Sequence, residues 1–172
     1  ANHRGFADPE HPFRHQGSAD LNTYKLFLEQ VYALLRSGGR VGILLPSGIY
    51  TGHGTIDLRR LLLGRCDWTH LYSFQNERFV FEGVHHAFKV AVLNFQKGGV
   101  TDEVLTRFRL GPGDSPELGE LETDIANISR YFRQSRELIQ RFSPRSGSML
   151  ELRSERDAQI LEKMYRHGVL LG

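Results

Sequence analysis

The residues best suited to chemistry lie in the connection 76–83, Asn-Glu-Arg-Phe-Val-Phe-Glu-Gly, between two apolar runs. Phe79 and Phe81 stand there beside charged residues, which is unusual for a plain turn. Connections lie at the protein surface and often carry function. An aromatic ring held there by a rigid sheet could stack on a flat ligand such as a nucleobase. The alternative is that both phenylalanines close the end of a hydrophobic core.

Two glycine-containing motifs resemble ligand-binding or catalytic loops but are incomplete. Gly-His-Gly at 52–54 lacks the rest of a dinucleotide-binding pattern, and no Walker lysine follows it. Pro-Ser-Gly at 46–48 follows an apolar run, but Leu45 occupies the position where a hydrolase nucleophile elbow requires glycine. We interpret both motifs as turns.

The histidines do not form a recognisable metal-binding pattern. His11 and His15 have helical spacing, but their segment has no helical hydrophobic period. His85 and His86 are adjacent, which fits no zinc-ligand spacing. We therefore predict no metal site, and no pair of catalytic carboxylates is evident.

Composition places the chain among ordinary globular proteins. Its 172 residues suffice for one domain with a sizeable core, and 40% are hydrophobic and 24% charged. The net charge of +2 permits nucleic-acid binding without arguing for it. The single cysteine, Cys66, excludes an internal disulfide. Because no apolar run is long enough for a membrane span, we expect a cytoplasmic protein with no membrane partner.

Helices and strands are expected to alternate on either side of the aromatic connection. Apolar residues at three- and four-residue spacing predict a helix over 21–37, begun by Asp20 or Asn22 and ended by Gly38-Gly39. A glycine-rich loop at 47–54 should precede a second helix, begun by Thr55 and ended by Gly64.

Short apolar runs predict strands at 41–46, 68–74 and 88–95. We expect the first to be a parallel strand in the middle of a sheet. The last two are too close in sequence for a crossover helix, so we predict that they pair antiparallel. Alternating apolar residues at 104–110 predict a further edge strand.

The C-terminal part is expected to contain a linker and two helices. Ser135 should cap a short helix that stops before Pro144. Ser154 and Asp157 have the spacing of a capping box at the start of a second helix.

Two stretches in this order resemble a known family. They are DLNTYKLFLEQVYALLRSGGRVGILLPSGIYT and LYSFQNERFVFEGVHHAFKVAVLNFQKG, and the tail FSPRSGSMLELRSERDAQILEKMY adds to them. The chain resembles the C-terminal half of the methyltransferase domain of DNA adenine-N6 methyltransferases. The large single-chain type IIG-like restriction–modification enzymes are the most similar. The resemblance covers most of residues 20–167.

The resemblance implies a class I, Rossmann-like α/β sheet of seven strands with the last strand antiparallel, of which this chain holds a part, plus a C-terminal helical extension. It implies residues 1–20 as an arm that follows the catalytic motif and 21–110 as the second half of the sheet domain. Residues 111–172 would lead towards a target-recognition region. Half of such a sheet would leave an apolar edge near 41–45 exposed or engaged in self-association.

The resemblance also implies transfer of a methyl group from S-adenosylmethionine to N6 of an adenine flipped out of double-stranded DNA. Phe81, with Phe79 as the fallback, stands where the family packs an aromatic ring against the flipped base. The residues expected to hold nucleic acid are Arg78, His85, His86 and Lys89.

Two family motifs are missing from the 172 residues: Asn-Pro-Pro-Tyr, which holds the target amino group, and the glycine-rich cofactor motif. We expect a fragment that binds no cofactor and is inactive alone, with the missing half of the domain and a target-recognition domain as partners. The alternative is a non-catalytic module of a restriction system that binds nucleic acid or protein.

Overall fold

The aromatic connection lies at one end of a five-stranded sheet. A computed structural model describes residues 13–17, 20–77, 81–110, 122–123 and 125–167. In chain order its elements are α1 (Thr23–Leu34), β1 (Arg40–Pro46), α2 (Gly48–Thr51), a 3-10 turn (His53–Thr55), α3 (Ile56–Arg65), β2 (Cys66–Gln75), β3 (Lys89–Lys97), β4 (Glu103–Leu110), a second 3-10 turn (Ile128–Arg130), β5 (Phe132–Ser135), α4 (Arg136–Phe142) and α5 (Glu155–His167).

Strand β3 lies between the first two predicted strands, β1 and β2. The strand order is β1-β3-β2-β4-β5, and β3 pairs antiparallel with both β1 and β2. Leu93 at its centre faces Ile43 on one side and Leu71 on the other. The predicted antiparallel pairing of the second and third strands is therefore confirmed.

The prediction that the first strand lies in the middle of the sheet is wrong for the described part of the chain. Strand β1 is at the edge, and its partner, β3, is antiparallel. It runs in the same direction as β2, but β3 separates the two. Leu44 on β1 is 51% exposed, whereas Leu45 is buried, so the expected uncovered apolar edge near 41–45 is present only in part.

The prediction of an edge strand at 104–110 is also wrong in its position. Strand β4 pairs in parallel with β2 and, on its other side, antiparallel with β5. Strand β5 consists of Phe-Arg-Gln-Ser, and this polar run gave no apolar signal. Its Phe132 and Gln134 are nevertheless buried.

The main core lies between one face of the sheet and the helices α1, α3 and α4. Leu28 of α1, Leu62 of α3 and Ile139 of α4 belong to it. Gly64 does not end α3 as predicted, because the helix continues to Arg65 and β2 begins at the next residue. No atom lies within 4 Å of a Cβ built on Gly64, so glycine has no steric role there.

Three predicted helix starts are confirmed, but Thr55 makes no side-chain cap hydrogen bond to α3, and α1 ends at Leu34, before Gly38-Gly39. The Asn22 side chain accepts a hydrogen bond from the Tyr24 amide, and the Ser135 side chain accepts one from the Leu138 amide. Ser154 accepts from the Asp157 amide as in a capping box, whereas the Asp157 carboxylate accepts from the Arg153 amide and not from the Ser154 amide. None of the helices in the described ranges has the length and apolar character needed to cross a membrane.

A short segment, residues 13–17, is held against α1 by the buried carboxylate of Glu29. This carboxylate accepts hydrogen bonds from the Arg14 amide at 2.6 Å, the Gln16 side chain at 2.5 Å and the His15 amide at 3.0 Å. Burial acts to raise the pKa of the Glu29 carboxyl, but the hydrogen bonds from Gln16, His15 and Arg14 together bring it below its ordinary value. The charged carboxylate therefore stabilises the docked segment.

We predict that acid will weaken this docking. Because the folded-state pKa of Glu29 is lowered, its contribution to stability is complete above the ordinary glutamate pKa of about 4.3 and is lost as pH falls through the folded value. Melting temperatures of wild type and Glu29→Gln, measured from pH 7 to pH 3, should differ most near neutrality and converge at the acid end. A gap that widens on acidification would contradict the assignment.

Candidate nucleic-acid interface

The turn after β2 is fixed by the buried side chain of Asn76. Its Oδ1 accepts a hydrogen bond from the Phe81 amide at 2.8 Å. Its Nδ2 donates to the Phe81 carbonyl at 3.0 Å and to the Val84 carbonyl at 2.7 Å. Asn76 is 1% exposed. Three hydrogen bonds from one buried amide define the backbone position of Phe81, so its ring projects from a fixed point at the end of the sheet.

The Phe81 ring is half-buried and packs on the second face of the sheet. It meets Phe74 edge-to-face, with ring centroids 5.9 Å apart and an interplanar angle of 84°. Tyr72, Val92 and Ile125 complete this small cluster. The ring is therefore partly a core residue, as the alternative interpretation held, while part of its surface is accessible to a ligand.

Two of the predicted nucleic-acid residues are exposed beside this turn. The rings of His85 and His86 lie 4.3 Å apart at 32°, and Phe88 meets His85 edge-to-face at 6.1 Å. Phe88 is 61% exposed. The structure thus places aromatic and imidazole rings together at the start of β3. Arg78 and Phe79 lie outside the described residues.

Lys89, also predicted to hold nucleic acid, forms an ion pair with a residue far along the chain. Its Nζ lies 2.7 and 2.9 Å from the two carboxylate oxygens of Glu151. The Tyr50 hydroxyl donates to the same carboxylate at 2.9 Å and is 2.8 Å from the Ser73 hydroxyl. Burial raises the pKa of Tyr50, which keeps this hydroxyl neutral. The network joins the carboxyl end of β2 to the C-terminal segment.

Sequence reasoning missed Glu151 and Tyr50. Glu151 lies in an irregular stretch without hydrophobic period, and Tyr50 lies in the segment interpreted as a glycine-rich loop. Neither position has a local pattern that marks it. The only available signal was a lone tyrosine among glycines, which is too weak to identify a partner 101 residues away.

The segment after β1 is not an open loop but two short helical turns around a buried arginine. Arg59 is fully buried, and its Nη1 donates to the Ile49 carbonyl at 3.1 Å and to the Gly52 carbonyl at 2.7 Å. Its other nitrogens donate to the Ser146 carbonyl and the Ser148 hydroxyl. Burial lowers the pKa of the guanidinium to about 10, which leaves it charged at neutral pH.

This closed segment does not fit S-adenosylmethionine, the cofactor that the resemblance implies. The Gly52 amide already donates to the Gly48 carbonyl at 2.7 Å. A Cβ on Gly52 would lie 2.7 Å from that same oxygen, which explains the glycine. The Gly52 amide and the carbonyls of Gly48, Ile49 and Gly52 are engaged internally, so these groups are not available to a ligand. Within the described ranges, no group of three His, Cys, Asp or Glu side chains could hold a metal.

Solved structures with the same fold were found, whereas no protein-family model and no curated protein matches the chain. A methyltransferase subunit of a type I restriction–modification system from Streptococcus thermophilus aligns with a TM-score of 0.60 and 16% identity, over 83% of this chain and 33% of that chain. A type I restriction–modification assembly aligns at 0.59 and 18%, over 90% and 39%. The type IIG restriction endonuclease BpuSI aligns at 0.58 and 17%, over 77% and 16%.

These alignments confirm the predicted fold, a part of the α/β methyltransferase sheet, and the predicted resemblance to restriction–modification methyltransferases. The chain spans at most 39% of the three solved chains described above. At identities of 16–18% the likeness concerns the fold.

We predict that Arg59 is a major determinant of stability. Arg59→Met removes the donors of several buried carbonyls and should lower the free energy of unfolding by about 2–4 kcal/mol, measured by urea denaturation. Arg65→Met is the matched control, since Arg65 is an exposed arginine of the same helix. It should change stability by no more than about 0.5 kcal/mol. Equal losses in the two variants would rule out the proposed role of the buried guanidinium.

Proposed function

We propose that this chain is part of a DNA adenine-N6 methyltransferase of a restriction–modification system. The observation that carries the proposal is the position of Phe81. It lies in the connection that follows the carboxyl end of β2 and leads to the antiparallel strand β3, and the buried Asn76 fixes its backbone. The similarity in fold to a type I restriction–modification assembly and to a methyltransferase subunit supports the same assignment.

The geometry suits Phe81 to support a flipped base. Its ring packs edge-to-face with Phe74, so it has little freedom to turn away when a base arrives. Stacking a base on an aromatic ring is worth about 1–3 kcal/mol. A ring already held in place gives up little conformational entropy on binding, which favours extrusion of the adenine.

The remaining chemistry is assigned in this proposal to residues outside the chain. Neither Asn-Pro-Pro-Tyr nor the glycine-rich cofactor motif occurs in the 172 residues, and the closed segment around Arg59 does not fit the cofactor. S-adenosylmethionine would supply the methyl group in the complete protein. This chain would contribute the platform for the base, and the rest of the methyltransferase domain and a target-recognition domain would be its partners.

His85 and His86 are proposed to contact the DNA beside the flipped base, because both are exposed next to the aromatic turn. Arg78, in the same connection, is proposed to join them. The Lys89 ammonium is shared with Glu151, so we assign it a weaker direct role on DNA and a stronger role in holding the start of β3 to the C-terminal segment.

We predict that Phe81→Ala in the full-length protein will slow methyl transfer to adenine, or weaken DNA binding, by roughly ten- to a hundredfold, the equivalent of one lost stacking contact. Phe81→Trp should retain more activity, because a flat aromatic face remains. The measurement is transfer of a labelled methyl group to a duplex at a temperature where the variants are folded.

Phe27→Ala is the control, since Phe27 is a phenylalanine of α1 that is 67% exposed and lies outside the aromatic turn. It should keep activity near the wild-type level. Wild-type rates for folded Phe81→Ala would exclude base stacking. Retained DNA binding without any methyl transfer by the wild-type protein would instead favour a non-catalytic binding module.

A further inference from the structure

A cavity lies between α3 and the chain around α4, at the opposite end of the sheet from Phe81. It has a volume of about 240 Å³. Arg136 on its wall directly follows Ser135 of β5, which pairs with Glu103 at the start of β4. Because β4 runs parallel to β2, that end of the sheet is the amino end of both strands. Phe81 follows the carboxyl end, so the cavity is separate from the proposed base platform.

The wall of this cavity is strongly cationic. Arg60, Arg136 and Arg145 line it, and no Asp or Glu is among the lining residues. The surrounding segment 125–167 carries nine Arg and Lys residues against five Asp and Glu. Gln140 and Ser143 add neutral polar side chains to the wall. The cavity is therefore built to attract an anion with several acceptor atoms.

The charges of these arginines are not neutralised by their present partners. Arg60 Nη2 donates to the Arg145 carbonyl at 2.8 Å, and Arg136 Nη1 donates to the Leu63 carbonyl at 2.9 Å. The nearest carboxylate to Arg60 is Asp57 at 3.5 Å, in an exposed pair of the kind that contributes little. Within the described part of the chain, the exposed Arg145 guanidinium has no hydrogen-bond or ion-pair partner.

The turn that presents Arg145 is fixed without any ligand. Two consecutive arginines of α3 hold it, Arg60 at the Arg145 carbonyl and Arg59 at the Ser146 carbonyl. Gly147 closes the turn in the left-handed region, at φ +59°, and its amide donates to the Ser143 carbonyl at 2.8 Å. A fixed backbone lowers the entropic cost of binding an ion.

We propose that this cavity binds a phosphate group. A tetrahedral oxyanion offers acceptors in several directions, which suits three arginines that line one cavity from two helices and a turn. The phosphate could belong to a DNA backbone or to a small phosphate compound, and the chemistry of the cavity is the same for both. The site differs in place and residues from the aromatic turn and does not depend on the proposed methyl transfer.

The test uses the 172-residue chain with inorganic phosphate as the probe. Its melting temperature is measured in sodium phosphate and in sodium chloride at equal ionic strength, and phosphate affinity is measured by titration calorimetry. Arg145→Gln should fold like wild type and bind phosphate roughly ten- to a hundredfold more weakly, the loss of one charge-assisted contact. Arg145→Lys should be intermediate, because it keeps the charge but loses the fork.

Arg156→Gln is the matched control, an exposed arginine on α5 outside the cavity. It should bind phosphate like wild type. The proposal is overturned if phosphate stabilises wild type no more than chloride does, or if Arg156→Gln loses as much affinity as Arg145→Gln.

A short DNA duplex without terminal phosphates identifies the source of the group. If Arg145→Gln also weakens duplex binding relative to Arg156→Gln, and lowers the salt slope by about 0.9, the ligand is a backbone phosphate. If only the affinity for inorganic phosphate falls, the ligand is a small phosphate compound. In both cases the cavity is a phosphate site.

Discussion

The antiparallel pairing of β3 with two strands at once is the constraint on which the rest of the structure depends. Strands β1 and β2 run in the same direction, and β3 fills the space between them from the opposite direction. This arrangement places the connection between β2 and β3 at the carboxyl end of β2, beyond Gln75. Phe81 lies in that connection, and the three hydrogen bonds of the Asn76 side chain hold its backbone in place. The position of the aromatic ring is thus a consequence of sheet topology.

A second organising feature is the return of the C-terminal segment to the sheet. Strand β5 extends the sheet beyond β4, although it comes from the stretch predicted to be a linker followed by helices. Met149 donates its amide to the Tyr50 carbonyl, Glu151 reaches Lys89, and Arg59 holds the serines before them. Met149 and Leu152 are also buried in hydrophobic clusters, but they do not give this segment a hydrophobic period in the sequence. The segment therefore stabilises the carboxyl end of β2 and the start of β3. The rings of His85 and Phe88 remain exposed.

Local patterns predicted the parts of this fold that depend on neighbouring residues. The caps at Asn22 and Ser135 and the β2–β3 pairing follow from side chains and spacings within a few residues, and the structure has them. The same reasoning failed where the structure depends on residues that are distant in the sequence. It placed β1 inside the sheet because an apolar strand looks the same at either position, and it had no means of finding β5, whose burial depends on β4. The sequence around Arg59 does not show that this arginine is buried. Its acceptors, the Ile49 and Ser146 carbonyls, lie on both sides of it along the chain.

The position of β3 also has a consequence for the order in which the sheet assembles. The β2–β3 pairing closes a short loop between Gln75 and Lys89, whereas β1 and β3 are separated by a helix-containing stretch from Pro46 to Lys89. The entropic cost of loop closure rises with loop length, so the shorter loop is the less costly nucleus. We expect the β2–β3 hairpin to form first and to serve as the template on which β1 docks. The aromatic turn would then be among the earliest features of the native state, with the edge strand added afterwards.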